Sequence, residues 1–281
     1  MTSSDGLFSF PLTCTVRRCG LALARHDRAL VCPAAHSYDV ARSGYVNLLQ
    51  PQDRRSRQAG DAKSIVDARA RLFAAGVGRA ALDELVERAE RLGLDAGAGV
   101  ADLGSGAGDL LGTLSARLAI GGVGIDLSPA AAEHAARRYP ELTWIVANAD
   151  RRLPFLDASA RLLLSLHGRR NPSECARVLA TDGHLLIAVP APDDLVELRT
   201  LVSGQPPTRE QSRSLLDEHQ DRFRLVERTV VRERLHVERA VLLDLLRVTY
   251  RGERRSAGPR VDTLTSLDVT MASEMFLLQR G

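Results

Sequence analysis

The chain has 281 residues, 44% of them hydrophobic and 26% charged, with a formal net charge of +3, which is enough to bury one or two ordinary cores. No apolar run approaches the ~18 uninterrupted residues that span a bilayer, and Met1-Thr-Ser-Ser-Asp-Gly lacks the basic and apolar stretches of a secretory signal. The expectation is a soluble, cytoplasmic protein with no membrane partner.

Positive charge is almost entirely guanidinium, since Lys63 is the only lysine; this suits phosphate recognition and equally reflects a GC-rich coding bias. Of the four cysteines, Cys14, Cys19 and Cys32 crowd into the first 32 residues, where a reducing compartment disfavours disulfides. Four residues separate Cys14 from Cys19, twelve separate Cys19 from Cys32, and three separate Cys32 from His36. Two close pairs, each on a tight turn, bring four ligands round one tetrahedral ion without long loop closure, so Cys14, Cys19, Cys32 and His36 form a Cys3His zinc pattern. Four small buried residues would leave the same spacing. Leu21-Ala-Leu and Arg28-Ala-Leu-Val read as small strands between the pairs. Cys175, inside a helical stretch and without ligand partners nearby in sequence, reads as packing.

Further along, residues 50–61 are polar and arginine-rich and read as a loop or linker. From Leu82 the apolar positions Leu82, Leu85, Val86, Ala89 and Leu92 recur at helical spacing. The pattern then predicts a strand over 99–103, a helix over 109–118, a strand over 122–126, a helix over 129–138 and a strand over 143–147. Strand, helix and strand follow up to 189. Such alternation implies α/β architecture, a doubly wound parallel sheet covered on both faces by helices. Beyond Pro190 come one helix, a Gln205-Pro-Pro break, an amphipathic stretch over 209–223, and β-rich segments over 224–237 and 264–279 that would complete the sheet edge. The expected organisation is a small zinc-ribbon-like domain over 1–50, a linker with helices over 51–95, and a sheet domain over 96–281.

Val100-Ala-Asp-Leu-Gly-Ser-Gly-Ala-Gly carries the chemistry. An apolar strand runs into Gly104, Gly106 and Gly108, which let the backbone approach a ligand closely before a helix opens. This spacing is tighter than the G-x-G-x-x-G that seats a pyrophosphate. Eighteen residues beyond Gly108, Asp126 stands at a strand end, where a carboxylate accepts from ribose hydroxyls. A nucleoside ligand follows, with a nicotinamide-type fold as the alternative. Glycine loop, acidic strand end and the third strand end at Asn148-Ala-Asp, followed by Leu153-Pro-Phe, together resemble the class I S-adenosylmethionine-dependent methyltransferases, which are Rossmann-like. That resemblance implies S-adenosyl-L-methionine as cofactor, held by Asp102, Gly104, Ser105, Gly106, Ala107, Gly108, Asp126, Asn148 and Ala149. Asp102 would lie by the methionine end or cap the loop amides.

Over its whole length the chain resembles one family, the RlmA-type 23S ribosomal RNA guanine-N1 methyltransferases, which include the tylosin and mycinamicin resistance enzymes. The matching residues are Cys19, Cys32-Pro-Ala-Ala-His36, Tyr38-Asp-Val-Ala-Arg, Gly44-Tyr-Val-Asn-Leu-Leu, Arg54-Arg-Ser-Arg-Gln-Ala-Gly-Asp, Ala68-Arg, the glycine motif, Arg138-Tyr-Pro, Leu153-Pro-Phe, Arg170-Asn-Pro-Ser-Glu and Ala176-Arg-Val-Leu. The resemblance implies methylation of N1 of a guanine in a 23S rRNA hairpin of domain II. One structural Zn2+ and the arginine linker would grip the hairpin, and a homodimer is expected on the family's pattern alone. In an antibiotic producer the modification would protect the ribosome from macrolides.

The chain departs from that family at several positions. Val16 stands where the first knuckle cysteine usually falls, so that Cys14 would have to reach in; Gly78 replaces a tyrosine, Asp194 replaces a histidine, and Leu166-His-Gly-Arg-Arg replaces the usual loop after the fourth strand. No catalytic residue follows from the family pattern. Guanine N1 carries a proton at neutral pH that must leave, and His167 and Asp194 are positional candidates to take it, against the plainer reading of packed or solvated residues. Arg54, Arg55 and Arg57, Arg169 and Arg170, and Arg251, Arg254 and Arg255 are candidate phosphate contacts or simply solvated surface. Tyr38 and Tyr45 are candidate base-stacking residues or core. Two competing readings are a small-molecule methyltransferase of antibiotic biosynthesis and a non-catalytic RNA-binding relative.

Overall fold

The structure, a computed structural model, describes residues 11–53, 60–203, 211–249 and 264–281. The Arg54, Arg55, Arg57, Arg251, Arg254 and Arg255 clusters and the Gln205-Pro-Pro break lie outside the described residues.

The N-terminal part is a three-stranded antiparallel sheet of β1 (Ala24–His26), β2 (Ala29–Val31) and β3 (Ser37–Asp39). It buries little by itself. Its inward residues Leu30, Cys32 and Tyr38 share one apolar cluster with Leu153 and Phe155 of the large domain. A bridge from Leu12 to Phe155 and a hydrogen bond from the Thr13 amide to the Pro154 carbonyl, 2.8 Å, seat this part on the rest.

The next strand, β4 (Val46–Asn47), leaves the small sheet and pairs in parallel with Thr143–Val146 of the large one. The units expected over 1–50 and 96–281 are therefore joined by a shared sheet. After it come α1 (Lys63–Ala74) and α2 (Arg79–Arg91), the latter with the apolar face expected from Leu82 onward. Then follow β5 (Val100–Leu103), α3 (Asp109–Leu118), β6 (Val123–Asp126), α4 (Pro129–Arg138), β7 (Thr143–Val146), β8 (Ala160–Leu166), α5 (Pro172–Val178) and β9 (Leu179–Pro190). The alternation read from the sequence is present within a residue or two at each end. Helices α6 (Val196–Ser203) and α7 (Gln211–His219), strand β10 (Phe223–Glu238), helix α8 (Arg239–Thr249) and strand β11 (Ser266–Arg280) complete the described chain.

Eight strands lie in the order β10-β11-β9-β8-β5-β6-β7-β4, parallel from β9 to β4 and antiparallel at β11 and β10. Connections after β5 run one way to β6 and β7, whereas β8 sits on the other side of β5. The carboxyl ends of β5 and β8 thus form the topological switch point, where helices diverge and leave a crevice.

The strands β10 and β11 are longer than the rest of the sheet requires. Only Ser273–Gln279 of β11 pairs with β9, and the stretch from Ser266 to Ala272 pairs with β10 alone. This overhang supports a second core of Leu72, Val77, Leu198, Leu242, Leu245 and Val269, contributed by α1, α6, α8 and the ribbon. Arg71 of α1 makes a bidentate pair with Asp244 of α8, at 2.7 and 2.8 Å. The overhanging core forms a wall beside the switch point.

Candidate active site and metal centre

Cys14 and Cys19 stand at opposite ends of a tight loop closed by hydrogen bonds from the Cys14 amide to the Leu21 carbonyl, 2.8 Å, and from the Gly20 amide to the Cys14 carbonyl, 3.2 Å. The four intervening residues are taken up in that turn. Cys32 and His36 form the second pair across the β2–β3 connection, with the Cys32 amide on the His36 carbonyl at 3.0 Å. The four ligand atoms all lie within 4.8 Å of one another. Cys19 Sγ is 3.8 Å from Cys32 Sγ, and His36 Nδ1 is 3.4 Å from both Cys14 Sγ and Cys32 Sγ. A tetrahedral zinc with bonds of ~2.3 Å to sulfur and ~2.0 Å to nitrogen has edges of roughly 3.8 Å between sulfurs and 3.5 Å from sulfur to nitrogen. The set fits Zn2+.

The thiols differ in environment. Burial pushes Cys14 up, with the Tyr38 hydroxyl 3.1 Å from its sulfur pulling the other way. At Cys32, burial is outweighed by the amides of His36 and Ala34, which draw the thiol down to about 7. Tyr38 is buried and spends its hydroxyl here, so it serves the knuckle and is closed to base stacking.

The cofactor loop begins where β5 ends. Gly104 and Ser105 both donate to the Ile125 carbonyl, at 2.8 and 2.9 Å, which folds the loop across β6. Gly108 caps α3 at φ 88°, and a Cβ there would come within 2.6 Å of the Trp144 ring and 2.9 Å of Ala135, so the helix start must pass this close to the sheet. Gly106, at φ 54°, has nothing within 4 Å of the same position and faces open space.

Two carboxylates flank the loop. Asp126 Oδ2 accepts from the Gly106 amide at 2.9 Å and Oδ1 from the Ser128 amide at 2.8 Å. Burial raises its carboxyl despite those amides. Asp102 is buried on β5, and its Oδ1 has no hydrogen-bond partner among the described residues. Burial first, and the Asp126 charge second, push it from 3.8 up to about 7. An unpartnered buried acceptor is costly unless a donor arrives, and a ligand ammonium satisfies it. Each Asp126 oxygen still has a lone pair for a ribose hydroxyl. The chemistry of these residues fits S-adenosyl-L-methionine.

A cavity of about 400 Å³ opens at the switch point. Asp102, Gly104, Ser105, Gly106 and Ala107 line it, and so do both proton-acceptor candidates, His167 and Asp194. His167 holds the left-handed conformation at φ 54°, with Nε2 3.1 Å from Ser273 Oγ. Asp194 is buried and accepts from the Ala272 amide at 2.9 Å. Asp126, Asn148 and Ala149 lie outside that lining, at the ends of β6 and β7. Asn148 Oδ1 there accepts from the Asp150 amide at 3.0 Å.

Several wall residues escaped the sequence reading. Glu233, Thr249 and Ser273 come from the C-terminal ribbon and α8, whereas Arg69 of α1, which also lines the wall, was read only as part of the family resemblance. Their signal was weak because they are single polar residues far from the glycine motif. The arginine pair after β8 is also less available than expected. Arg169 pairs with Asp150 at 3.1 Å, and Arg170 turns inward to the Gly168 carbonyl and His219.

The zinc-ribbon family described as "RlmA, N-terminal" matches residues 13–57, and a family described as "Methyltransferase domain" matches residues 100–183. The 23S rRNA (guanine(748)-N(1))-methyltransferase of Streptomyces fradiae is 37% identical over 185 residues, 64% of each chain. A Micromonospora griseorubida protein named as a candidate 23S rRNA (guanine-N(1)-)-methyltransferase is 38% identical over 205 residues, 66% of this chain and 68% of its own. Among solved structures, a methyltransferase candidate from Bacillus halodurans superposes with a TM-score of 0.52 at 16% identity, covering 70% of this chain and 97% of that one, which shows the shared fold. The match thus spans just under two thirds of the Streptomyces enzyme's length. With the zinc-ribbon and methyltransferase families matched in one chain, and a 38% identical relative covered over 68% of its length, this protein belongs to the RlmA-type 23S rRNA (guanine-N1)-methyltransferase family.

Proposed function

We propose that this chain methylates N1 of a guanine in a hairpin of 23S rRNA, with the cofactor and zinc residues acting as described above. The observation that carries the reading is the coexistence of a zinc-fitting knuckle with a cavity at the switch point whose wall includes both the cofactor loop and candidate proton acceptors. S-adenosyl-L-methionine supplies an electrophilic sulfonium methyl.

The protein's own tasks are binding, orientation and removal of one proton. Asp102 and the loop from Gly104 to Gly108 hold the amino-acid end of the donor, and Asp126, Asn148 and Ala149 hold its nucleoside. Guanine N1 must lose its proton to gain a lone pair. His167 is the better placed of the two sequence candidates. Ser273 fixes its ring at the cavity mouth, whereas Asp194 spends Oδ1 on the Ala272 amide. Holding base and donor in one crevice supplies much of the barrier reduction by proximity.

Residues 1–50 read the hairpin by shape, supported by the exposed Arg25 and Arg28 beside the knuckle and by the linker arginines. The protein works as a homodimer in the cytoplasm, where ribosomal RNA is made. In an antibiotic producer the mark would defend the ribosome against macrolides. Labelled methyl transfer to unmethylated 23S transcript, followed by primer extension, tests this. N1-methylguanine stops reverse transcriptase, so a single stop in one hairpin supports the reading, and no incorporation with donor binding intact overturns it.

A further inference from the structure

Glu233 lies on β10, at the register opposite Met271, and lines the same cavity as the cofactor loop. Its Oε1 is buried and has no hydrogen-bond partner among the described residues. Burial raises its carboxyl, opposed by the Gly78 amide and reinforced by Asp83 of α2. Other charged groups face the same space: Arg69 from α1, Asp102 and Asp109 around the loop, and His167 and Asp194 across it. Most of these have a task already. Asp109 takes the Tyr139 hydroxyl at 3.2 Å, Asp194 takes the Ala272 amide, and Asp102 faces the donor's amino-acid end. Glu233 is a wall carboxylate with an uncommitted oxygen and no part in holding the donor.

Guanine presents two adjacent donors, N1–H and the 2-amino group, on the edge that is methylated. Adenine presents an acceptor at N1 in the same place. A carboxylate oxygen takes the 2-amino donor, which adenine lacks, and leaves N1–H to a separate proton acceptor. We infer that Glu233 is the specificity-determining residue for the target base, its uncommitted oxygen accepting from the 2-amino donor of guanine while the N1 proton is left to its acceptor. This rests on the methylation reading above. A buried acceptor left empty by a wrong base strongly penalises that base, whereas the right base satisfies it.

The test uses the full chain, S-adenosyl-L-methionine, and short RNA hairpins around the primer-extension stop, carrying guanosine or inosine at that position. Inosine keeps N1–H and lacks the 2-amino group. The wild-type protein is expected to lose roughly tenfold or more in kcat/KM on inosine. Glu233→Leu, which removes the acceptor, is expected to lose roughly tenfold or more on guanosine and to erase the guanosine–inosine difference, with donor affinity by equilibrium dialysis unchanged. Equal wild-type rates on the two hairpins overturn the assignment, and so does a Glu233→Leu protein as active as wild type. If the variant fails to fold, the wild-type inosine comparison decides alone. A wild type that binds donor and methylates no rRNA overturns the methylation reading itself, and this inference with it.

Discussion

Arg177 reaches from α5 to the Phe155 carbonyl, donating through Nη1 at 2.8 Å. Its Nη2 reaches the Leu153 carbonyl at 2.9 Å, while Glu174 accepts the Leu153 amide at 2.9 Å. Asn171 caps α5 through the Ser173 and Glu174 amides, and Pro172 fills its first turn. The Asn-Pro-Ser-Glu and Ala-Arg-Val-Leu strings therefore form a clamp on Leu153-Pro-Phe, the strip on which the zinc module rests.

Arg177→Ala should destabilise the protein by roughly 2–4 kcal/mol, because it removes charge-assisted bonds to two carbonyls and leaves Glu174 unpaired. Denaturant unfolding measures the loss. Limited proteolysis should show faster cleavage near residues 11–20 than in wild type, and unchanged cleavage there would count against the clamp.

Removing the metal should separate two properties. Cys32→Ser, or chelation of the wild type, should release one equivalent of Zn2+ and lower Tm, because the module folds around the ion. Donor affinity should stay within about threefold, as the loop from Gly104 to Gly108 belongs to the other domain. Methyl transfer to rRNA should fall far more. Zinc content by plasma emission and donor titration report the two effects independently.

Asp102 gives the protein a pH signature. Its carboxyl is raised from 3.8 to about 7, so the folded state keeps a proton that the unfolded chain loses. Its contribution to stability is therefore largest at acid pH and declines as pH rises from 3.8 through about 7. Asp102→Asn should raise the Tm of the donor-free protein at pH 8 and flatten its pH dependence. Conversely, a cationic donor needs the carboxylate. Donor binding should weaken by up to about tenfold per pH unit below 7 and release a proton, measurable by calorimetry in two buffers at pH 6. The variant should bind weakly with no such slope.

Asp244→Asn tests the wall formed by the overhanging ribbon. The Arg71 and Arg247 guanidinium groups hold its carboxyl well below the usual range. Loss of the bidentate pair between α1 and α8 should cost about 1–2 kcal/mol, since Asp244 is buried although Arg71 is half-exposed. The deficit should shrink as pH falls through the native carboxyl's titration, because the folded pKa is depressed and its benefit disappears in acid.

The sheet's core was legible because β5 and β6 each end in a glycine or acidic signal before a helix of plain 3.6 periodicity, and β7 runs into Asn148-Ala-Asp. The knuckle was legible from cysteine and histidine spacing. Helix α1 was expected only as one of the helices over 51–95, without bounds, because Ile65, Val66, Ala68 and Leu72 are interleaved with Lys63, Asp67, Arg69 and Arg71. Helix α8 was hidden between two strand-like segments. Two-residue strand β4 carries no periodicity at all, and its place beside β7 is a tertiary fact. Glu233 was invisible because only the ribbon's overhang brings it near a glycine loop more than a hundred residues earlier.

The strand β4 has a practical corollary. Val46 and Asn47 cover the outer edge of β7, whose residues Thr143, Trp144, Ile145 and Val146 are all buried. A truncation starting at residue 51 would strip that cover and leave an apolar strand with unpaired backbone groups facing water, the template for edge-to-edge self-association. Such a fragment should precipitate, so the zinc module acts as a built-in solubility cap for the sheet beside it.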